Sequence, residues 1–194
     1  MTIFNTYFTE REEKQLLSHI RKFSCPFAKR DLNWMLLMRH TALRVGVLHG
    51  LTIGDAEKAL EAEYLHVRPE VNKNDKVQDI YLNKSAKASI RQLLQVHKLI
   101  CDNAGGVDWD LPRLDRPLIL SRKLKQANKS MAIRSFQDRM KFWDRESGLE
   151  LGCTPHWWRH TWARRALENS TNPAQSLRRI QEILGHADIR TTQV

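Results

Sequence analysis

The chain has 194 residues, of which 41% are hydrophobic and 28% charged, and this balance is typical of one packed domain or two small ones. No apolar run reaches the roughly 20 residues that a membrane-spanning helix needs, and the N-terminus lacks the apolar segment of a signal peptide. The formal net charge is +10. We therefore expect a basic cytoplasmic protein without a membrane partner.

The cysteines and histidines give no sign of a metal or a disulfide framework. Cys25, Cys101 and Cys153 are an odd number and form no CxxC pattern, so we expect three buried thiols. Two histidines four residues apart can bind zinc, but the metalloprotease pattern has Glu directly after the first histidine, where this chain has Trp157. We expect neither a metal nor a cofactor.

Positive charge is concentrated in the second half of the chain. Residues 1–110 carry 16 basic and 14 acidic side chains, whereas residues 111–194 carry 16 basic and eight acidic ones. Between Arg113 and Arg145 there are ten Lys or Arg against three Asp. This density is typical of a surface that follows a nucleic-acid backbone, and a solvated basic face is the alternative. The candidate DNA-binding residues are Arg122, Lys123, Lys125, Lys129, Arg134 and His160.

Two helices are predicted in the first 41 residues. Thr9 and Glu12 form a capping box, and an apolar stripe then continues to about Phe23. Cys25-Pro26 ends this helix, and a second, largely buried helix is predicted over residues 28–41.

Arg44 lies just past the second predicted helix in an apolar setting, between Leu43 and Val45. A buried charge is costly unless it is paired or reserved for an anionic ligand. An internal ion pair with Asp55 or Glu57 is the alternative to a ligand-binding role.

A β-hairpin is predicted over residues 64–82, because two stretches of β-forming residues flank the polar segment 72–75. Lys73 lies in that turn, where a flexible ammonium can reach a ligand. Ser85 is predicted to cap a helix that runs to about Ile100, and residues 102–117 are predicted to form a loop.

A helix is also predicted over residues 130–146, and its two faces differ in character. The face expected to point inward carries Ile133, Phe136, Met140 and Trp143. The opposite face carries Arg134, Arg139 and Lys141.

A helix that begins near His156 places His156, Arg159 and His160 on one side of its first two turns. Free N–H groups at a helix start, a planar guanidinium and an imidazole together suit a phosphodiester. A further helix, starting at Asn172, is predicted to end at Gly185 and to leave His186 just past its C-terminus.

Five motifs in register resemble the catalytic domain of the tyrosine recombinases, or phage-type integrases. They are Thr-Ala-Leu-Arg44, the hairpin-turn Lys73, His156-x-x-Arg159-His160, Leu-Gly-His186 and the Ile189-Arg-Thr-Thr that follows it. The resemblance covers nearly the whole chain. It implies an α+β, mainly α-helical fold with a small antiparallel β-hairpin or three-stranded sheet at one edge.

The resemblance also implies site-specific cleavage and rejoining of double-stranded DNA through a 3′-phosphotyrosyl intermediate. It implies that Arg44 and Arg159 clamp the scissile phosphate, that His156 and His186 contact it and assist proton transfer, and that Lys73 protonates the leaving 5′ oxygen. The whole protein is then expected to be a homotetramer on DNA, and this fragment a monomer.

Two positions depart from the family pattern. Val47 stands where the family has an acidic residue that orients the first arginine, and the tyrosine nucleophile falls at position 195. We expect residues 1–194 to be a single catalytic domain, truncated just before its nucleophile, cleavage-deficient and without the family's N-terminal DNA-clamping domain. The alternative is a non-catalytic, sequence-specific DNA-binding regulator that uses the helix pair at 156–184.

Overall fold

Helices make up most of the structure, a computed structural model that describes residues 6–72, 77–124, 129–172 and 180. The mainly helical α+β class is confirmed. Within these ranges, no helix has both the length and the apolar character needed to cross a membrane. The elements are α1 Glu10–Arg21, α2 Pro26–Thr41, α3 Val45–Gly50, α4 Ile53–Ala62, β1 Tyr64–Val67, β2 Gln78–Tyr81, α5 Lys84–Asn103, α6 Ile133–Glu146 and α7 His156–Glu168.

Helix α1 begins at the predicted capping box. The N–H of Glu12 donates to Thr9 Oγ1 at 3.3 Å, and the N–H of Thr9 donates to Glu12 Oε2 at 2.8 Å. The predicted apolar stripe of α1 is buried against α2.

Helix α2 is the central element of the core, and it contacts α1, α5 and α7. Trp34, Leu37 and Met38 on this helix are completely buried. The helix ends where Ala42 adopts a left-handed conformation with φ of 53°, and the Ala42 N–H donates to the Met38 carbonyl at 2.8 Å. Arg44 therefore lies two residues past this cap.

Helices α3 and α4 were not among the predicted elements. Helix α4 begins at a second capping box, in which Thr52 Oγ1 accepts from the Asp55 N–H at 3.1 Å and Asp55 Oδ2 accepts from the Thr52 N–H at 3.0 Å. The sequence contains this signal, but with Asp in place of the usual Glu or Gln.

The predicted hairpin is confirmed as the antiparallel pair β1 and β2. Leu65 pairs with Ile80 and both are buried, whereas Tyr64 and its partner Tyr81 are exposed on the other face. In the part of the chain that the structure describes, the sheet has two strands, so the three-stranded form is not seen there.

Helix α5 begins two residues earlier than expected. Asn83, rather than Ser85, is the N-cap, because Asn83 Oδ1 accepts from the Ala86 N–H at 2.9 Å. On the side of α5 that helical periodicity predicts to face inward, Ile90, Leu93 and His97 are buried and Leu94 is partly buried.

Two other predictions about side-chain burial need correction. Ile133, which was expected to face inward, is 43% exposed at the start of α6, whereas Phe136 is buried as predicted. The cysteines are not all buried, since Cys153 is buried, Cys101 is partly exposed and Cys25 is exposed.

The carboxylate of Asp31 ties α2 to α6 inside the core, where it is 0% exposed. Its Oδ1 accepts from Arg30 Nη2 at 2.7 Å and from Trp34 Nε1 at 3.3 Å. Its Oδ2 accepts from Arg139 Nε at 2.6 Å and from Trp143 Nε1 at 2.9 Å. Arg139 therefore turns toward the core, and its predicted place on the outer face of α6 was wrong.

We expect Asp31→Asn to lower the free energy of unfolding by about 3–5 kcal/mol. The neutral amide leaves the guanidiniums of Arg30 and Arg139 without their buried counter-charge. Asp138→Asn is the matched control on α6, since Asp138 forms an exposed ion pair with Arg134 and its loss should cost no more than about 0.5 kcal/mol. Urea denaturation measures both, and equal effects would contradict the assigned role of Asp31.

Candidate active site

A cavity of about 510 Å³ lies where the end of α2, the start of α3 and the start of α7 meet. Arg44, His156 and Arg159 line it, although they come from distant parts of the sequence. The other two predicted catalytic residues, Lys73 and His186, lie outside the described residues. The catalytic role of all five stays a prediction.

The start of α7 is fixed by aromatic packing. Trp158 is completely buried, and its ring lies 4.6 Å from that of Phe8, measured between centroids. The Trp157 N–H donates to the Thr154 carbonyl at 3.0 Å and closes the first turn. Since His156 and Arg159 are three residues apart, they share the side of α7 that faces the cavity.

Arg159 is the most deeply buried of the three, with 4% of its surface exposed. Its Nη1 donates to the carbonyl oxygen of Ala42, at the C-terminus of α2, where helix carbonyls favour a cation. Burial, followed by the charge of Arg44, lowers the pKa of Arg159 to about 9. An anion beside it offsets both effects.

Arg44 stands at the N-cap position of α3, and its Nη1 donates to Asn72 Oδ1 at 3.2 Å. Burial lowers the pKa of Arg44. Val47, which takes the place of the family's acidic residue, is buried in the cavity wall. Asn72 could not be recognised as a site residue from its sequence position, because a single turn asparagine has many possible roles.

The two carboxylates named as alternative ion-pair partners of Arg44 contact other arginines. Asp55 Oδ2 lies 3.1 Å from Arg68 Nη2, and Glu57 Oε2 lies 2.8 Å from Arg113 Nη2.

His156 and His160 stack edge to face beside the arginines, with ring centroids 4.5 Å apart and an interplanar angle of 85°. His156 is exposed at the mouth of the cavity, and His160 is half-buried. Burial, followed by the charge of Arg159, lowers the pKa of His160. His160 therefore packs against His156 as a neutral ring at pH 7.

This arrangement suits one phosphate group. Two guanidiniums can donate to its non-bridging oxygens, and the exposed imidazole of His156 can donate a further hydrogen bond or pass a proton. Over the described ranges, no group of three His, Cys, Asp or Glu side chains is placed to hold a metal ion.

The model of the phage integrase family matches residues 6–194. The chain belongs to this family. It is 31% identical over 175 residues to tyrosine recombinase XerD of Listeria monocytogenes serotype 4b (strain F2365), covering 88% of this chain and 51% of the relative. It is 30% identical over 181 residues to tyrosine recombinase XerC of Histophilus somni (strain 2336), covering 93% and 52%. The chain thus spans about half the length of these relatives.

Solved structures of the family share the fold. The crystal structure of XerA recombinase has a TM-score of 0.71 at 23% identity and covers 100% of this chain and 59% of its own. The Tn1549 transposon integrase, in complex with transposon right end DNA, has a TM-score of 0.70 at 19% identity and covers 98% and 61%.

The described members of the predicted DNA-binding set in this integrase-family chain occupy several parts of the structure. Arg122 and Lys123 are exposed, and the Arg122 guanidinium lies 5.3 Å from the centre of the Phe27 ring, at the opposite end of α2 from the cavity. Arg134 is exposed on α6 and pairs with Asp138 at 3.2 Å.

The remaining DNA-binding candidates differ in accessibility. Lys129 is only 8% exposed, and its Nζ lies 5.0 Å from the centre of the Trp109 ring rather than reaching into solvent. Lys125 lies outside the described residues. His160 contacts His156 at the cavity, so its DNA-binding role stays a prediction.

We expect the pKa of His160 to lie below the usual histidine value of about 6.5 and to rise when an anion binds. The bound anion offsets the charge of Arg159 that depresses it. Since the folded state favours neutral His160, its contribution to stability is present above about pH 6.5 and is lost as the pH falls below that value. Histidine NMR titration with and without inorganic phosphate measures the shift, and His160→Gln assigns the signal. A titration that phosphate does not change would contradict the geometry.

Proposed function

We propose that this chain is the phosphate-binding catalytic part of a tyrosine recombinase, which cleaves and rejoins double-stranded DNA at specific sites through a 3′-phosphotyrosyl intermediate. The observation that carries the proposal is the meeting of Arg44, His156 and Arg159 around one cavity. Membership of the phage integrase family and the recombinase names of its relatives support it.

In this proposal, Arg44 and Arg159 hold the two non-bridging oxygens of the scissile phosphate. Phosphoryl transfer depends mainly on positioning and on neutralising the charge that develops on these oxygens. Arg159 is held in advance by the Ala42 carbonyl, and Arg44 by the Asn72 amide oxygen. Little reorganisation is then needed when DNA binds.

The proton-transfer steps are assigned to the remaining predicted residues. His156 and His186 assist transfer at the phosphate, and Lys73 protonates the leaving 5′ oxygen. Lys73 directly follows Asn72, whose side chain contacts Arg44, and this supports a place for the ammonium near the same phosphate.

The nucleophile in this mechanism is a tyrosine at position 195, and the partner is double-stranded DNA. One neighbouring structure is an integrase in complex with DNA, which supports the choice of partner. A homotetramer on DNA is proposed for the whole protein and a monomer for the 194-residue chain.

We expect the 194-residue chain to form no covalent adduct with a nicked suicide duplex that carries a site selected by the chain from random DNA. The same chain extended by a tyrosine at position 195 should form the adduct, because it then has an oriented nucleophile. Arg44→Lys or Arg159→Lys should slow the adduct at least about tenfold, because a lysine lacks the bidentate fork. A folded, extended chain that binds DNA without forming any adduct would favour the non-catalytic regulator instead.

We also expect DNA affinity to fall steeply with salt, because each neutralised phosphate releases counterions. Arg44→Gln should reduce the slope of log K against log salt by about 1, since it removes one phosphate contact. Lys98→Gln, an exposed lysine on α5, is the charge-matched control. Fluorescence anisotropy at several salt concentrations gives the slopes, and a nearly flat plot for the unmodified chain would contradict DNA binding through phosphates.

A further inference from the structure

The loop between α6 and α7 leads directly into the cavity. Its last residues, Thr154 and Pro155, line the cavity together with His156. The loop also contains left-handed residues, with φ of 52° at Glu150 and 67° at Gly152. A loop of this kind has no regular hydrogen-bond ladder of its own, so its backbone N–H groups need another partner.

Four consecutive N–H groups of this loop converge on Asp144, near the C-terminus of α6. The N–H groups of Leu149 and Glu150 donate to the Asp144 carbonyl at 3.1 and 3.5 Å. The N–H of Leu151 donates to Asp144 Oδ1 at 3.2 Å, and that of Gly152 donates to Oδ2 at 2.7 Å. Successive N–H groups can form a concave site for an anion, and here those of Leu151 and Gly152 bind the protein's own carboxylate.

The next residue of the loop, Cys153, lies close to the same carboxylate. Burial, followed by the charge of Asp144, raises the pKa of the Cys153 thiol. Both side chains are buried, with Asp144 2% and Cys153 0% exposed. Every residue from 149 to 152 is thus anchored on Asp144 by its N–H group, just before Thr154.

We propose that Asp144 is a positioning residue for the phosphate site: by holding residues 149–152, it sets where α7 begins and where the His156 side chain stands. The inference rests on the proposed function, because it names the residue that orients the first turn of α7 at the proposed phosphate site. Asp144 acts through the loop backbone, and Arg159 has an independent anchor in the Ala42 carbonyl.

The argument requires a carboxylate rather than an amide at this position. Both carboxylate oxygens of Asp144 accept an N–H, from Leu151 and from Gly152. In Asp144→Asn, one oxygen becomes an NH₂ group, which faces a second donor and leaves one loop N–H without an acceptor. The loop should then no longer fix the position of the start of α7.

The test compares the unmodified chain with Asp144→Asn and with the control Asp138→Asn, which makes the same charge change on the exposed side of α6. In the protein without ligand, the NMR signals of the His156 ring report its edge-to-face contact with His160. We expect Asp144→Asn to move these signals and to weaken binding of inorganic phosphate about tenfold, as a small misplacement at such a site does. Asp138→Asn should change neither.

A purely structural role for Asp144 gives a different result. It would reduce the folded fraction, seen as weaker histidine signals, while the signal positions and the phosphate Kd of the folded molecules stayed those of the unmodified chain. That result would overturn the proposal. The His156 signals are measured without phosphate, so they test Asp144 even if no form of the chain binds phosphate. Failure of every form to bind phosphate would count against the proposed function instead.

Hydrogen exchange in the unmodified chain provides a second measurement that needs no variant. We expect the N–H groups of Leu151 and Gly152 to exchange as slowly as those of the adjoining helix α6, because a buried carboxylate holds them. Exchange at the rate of an open loop would overturn the anchoring role.

Discussion

The candidate site depends on how α2 ends. Ala42 takes a left-handed conformation, which ends the helix. The same conformation points the Ala42 carbonyl toward Arg159 and leaves Arg44 two residues further along the chain. One local geometry therefore brings two guanidiniums to the same cavity from opposite ends of the sequence. The core around Trp34 and Trp158 holds α2 and α7 rigidly enough to keep them there.

Two neighbouring cations in a largely buried setting lower the free energy of unfolding. The lowered pKa values of Arg159 and Arg44 express that cost, because burial disfavours the charged form of each and Arg44 also repels Arg159. Elsewhere in the described core, the Arg30 and Arg139 charges are compensated by the Asp31 carboxylate. An anionic ligand beside Arg44 and Arg159 would offset both effects, and local departures from good packing chemistry concentrate at functional sites.

The elements with strong local signals could be predicted from the sequence. The capping box at Thr9, the hairpin at residues 64–82 and the helix that begins at His156 follow from local rules, and the family pattern supplied Arg44 and Arg159. The other contacts depend on tertiary structure. The Ala42 carbonyl is a backbone group, and Asn72 resembles any turn residue. Arg139 points inward because it pairs with Asp31 in the core, and helical periodicity does not reveal that pairing.

The central claim is that Arg44 and Arg159 bind one phosphate together, and a double-mutant cycle tests it most directly. Arg44→Gln, Arg159→Gln and the double variant keep amide donors at both positions, and circular dichroism checks that each is folded. The affinity for a short DNA duplex at fixed salt should give a coupling energy of about 1 kcal/mol or more, because either loss spoils the same contact. Effects that add within about 0.3–0.5 kcal/mol would show that the two arginines bind independently and would contradict this account.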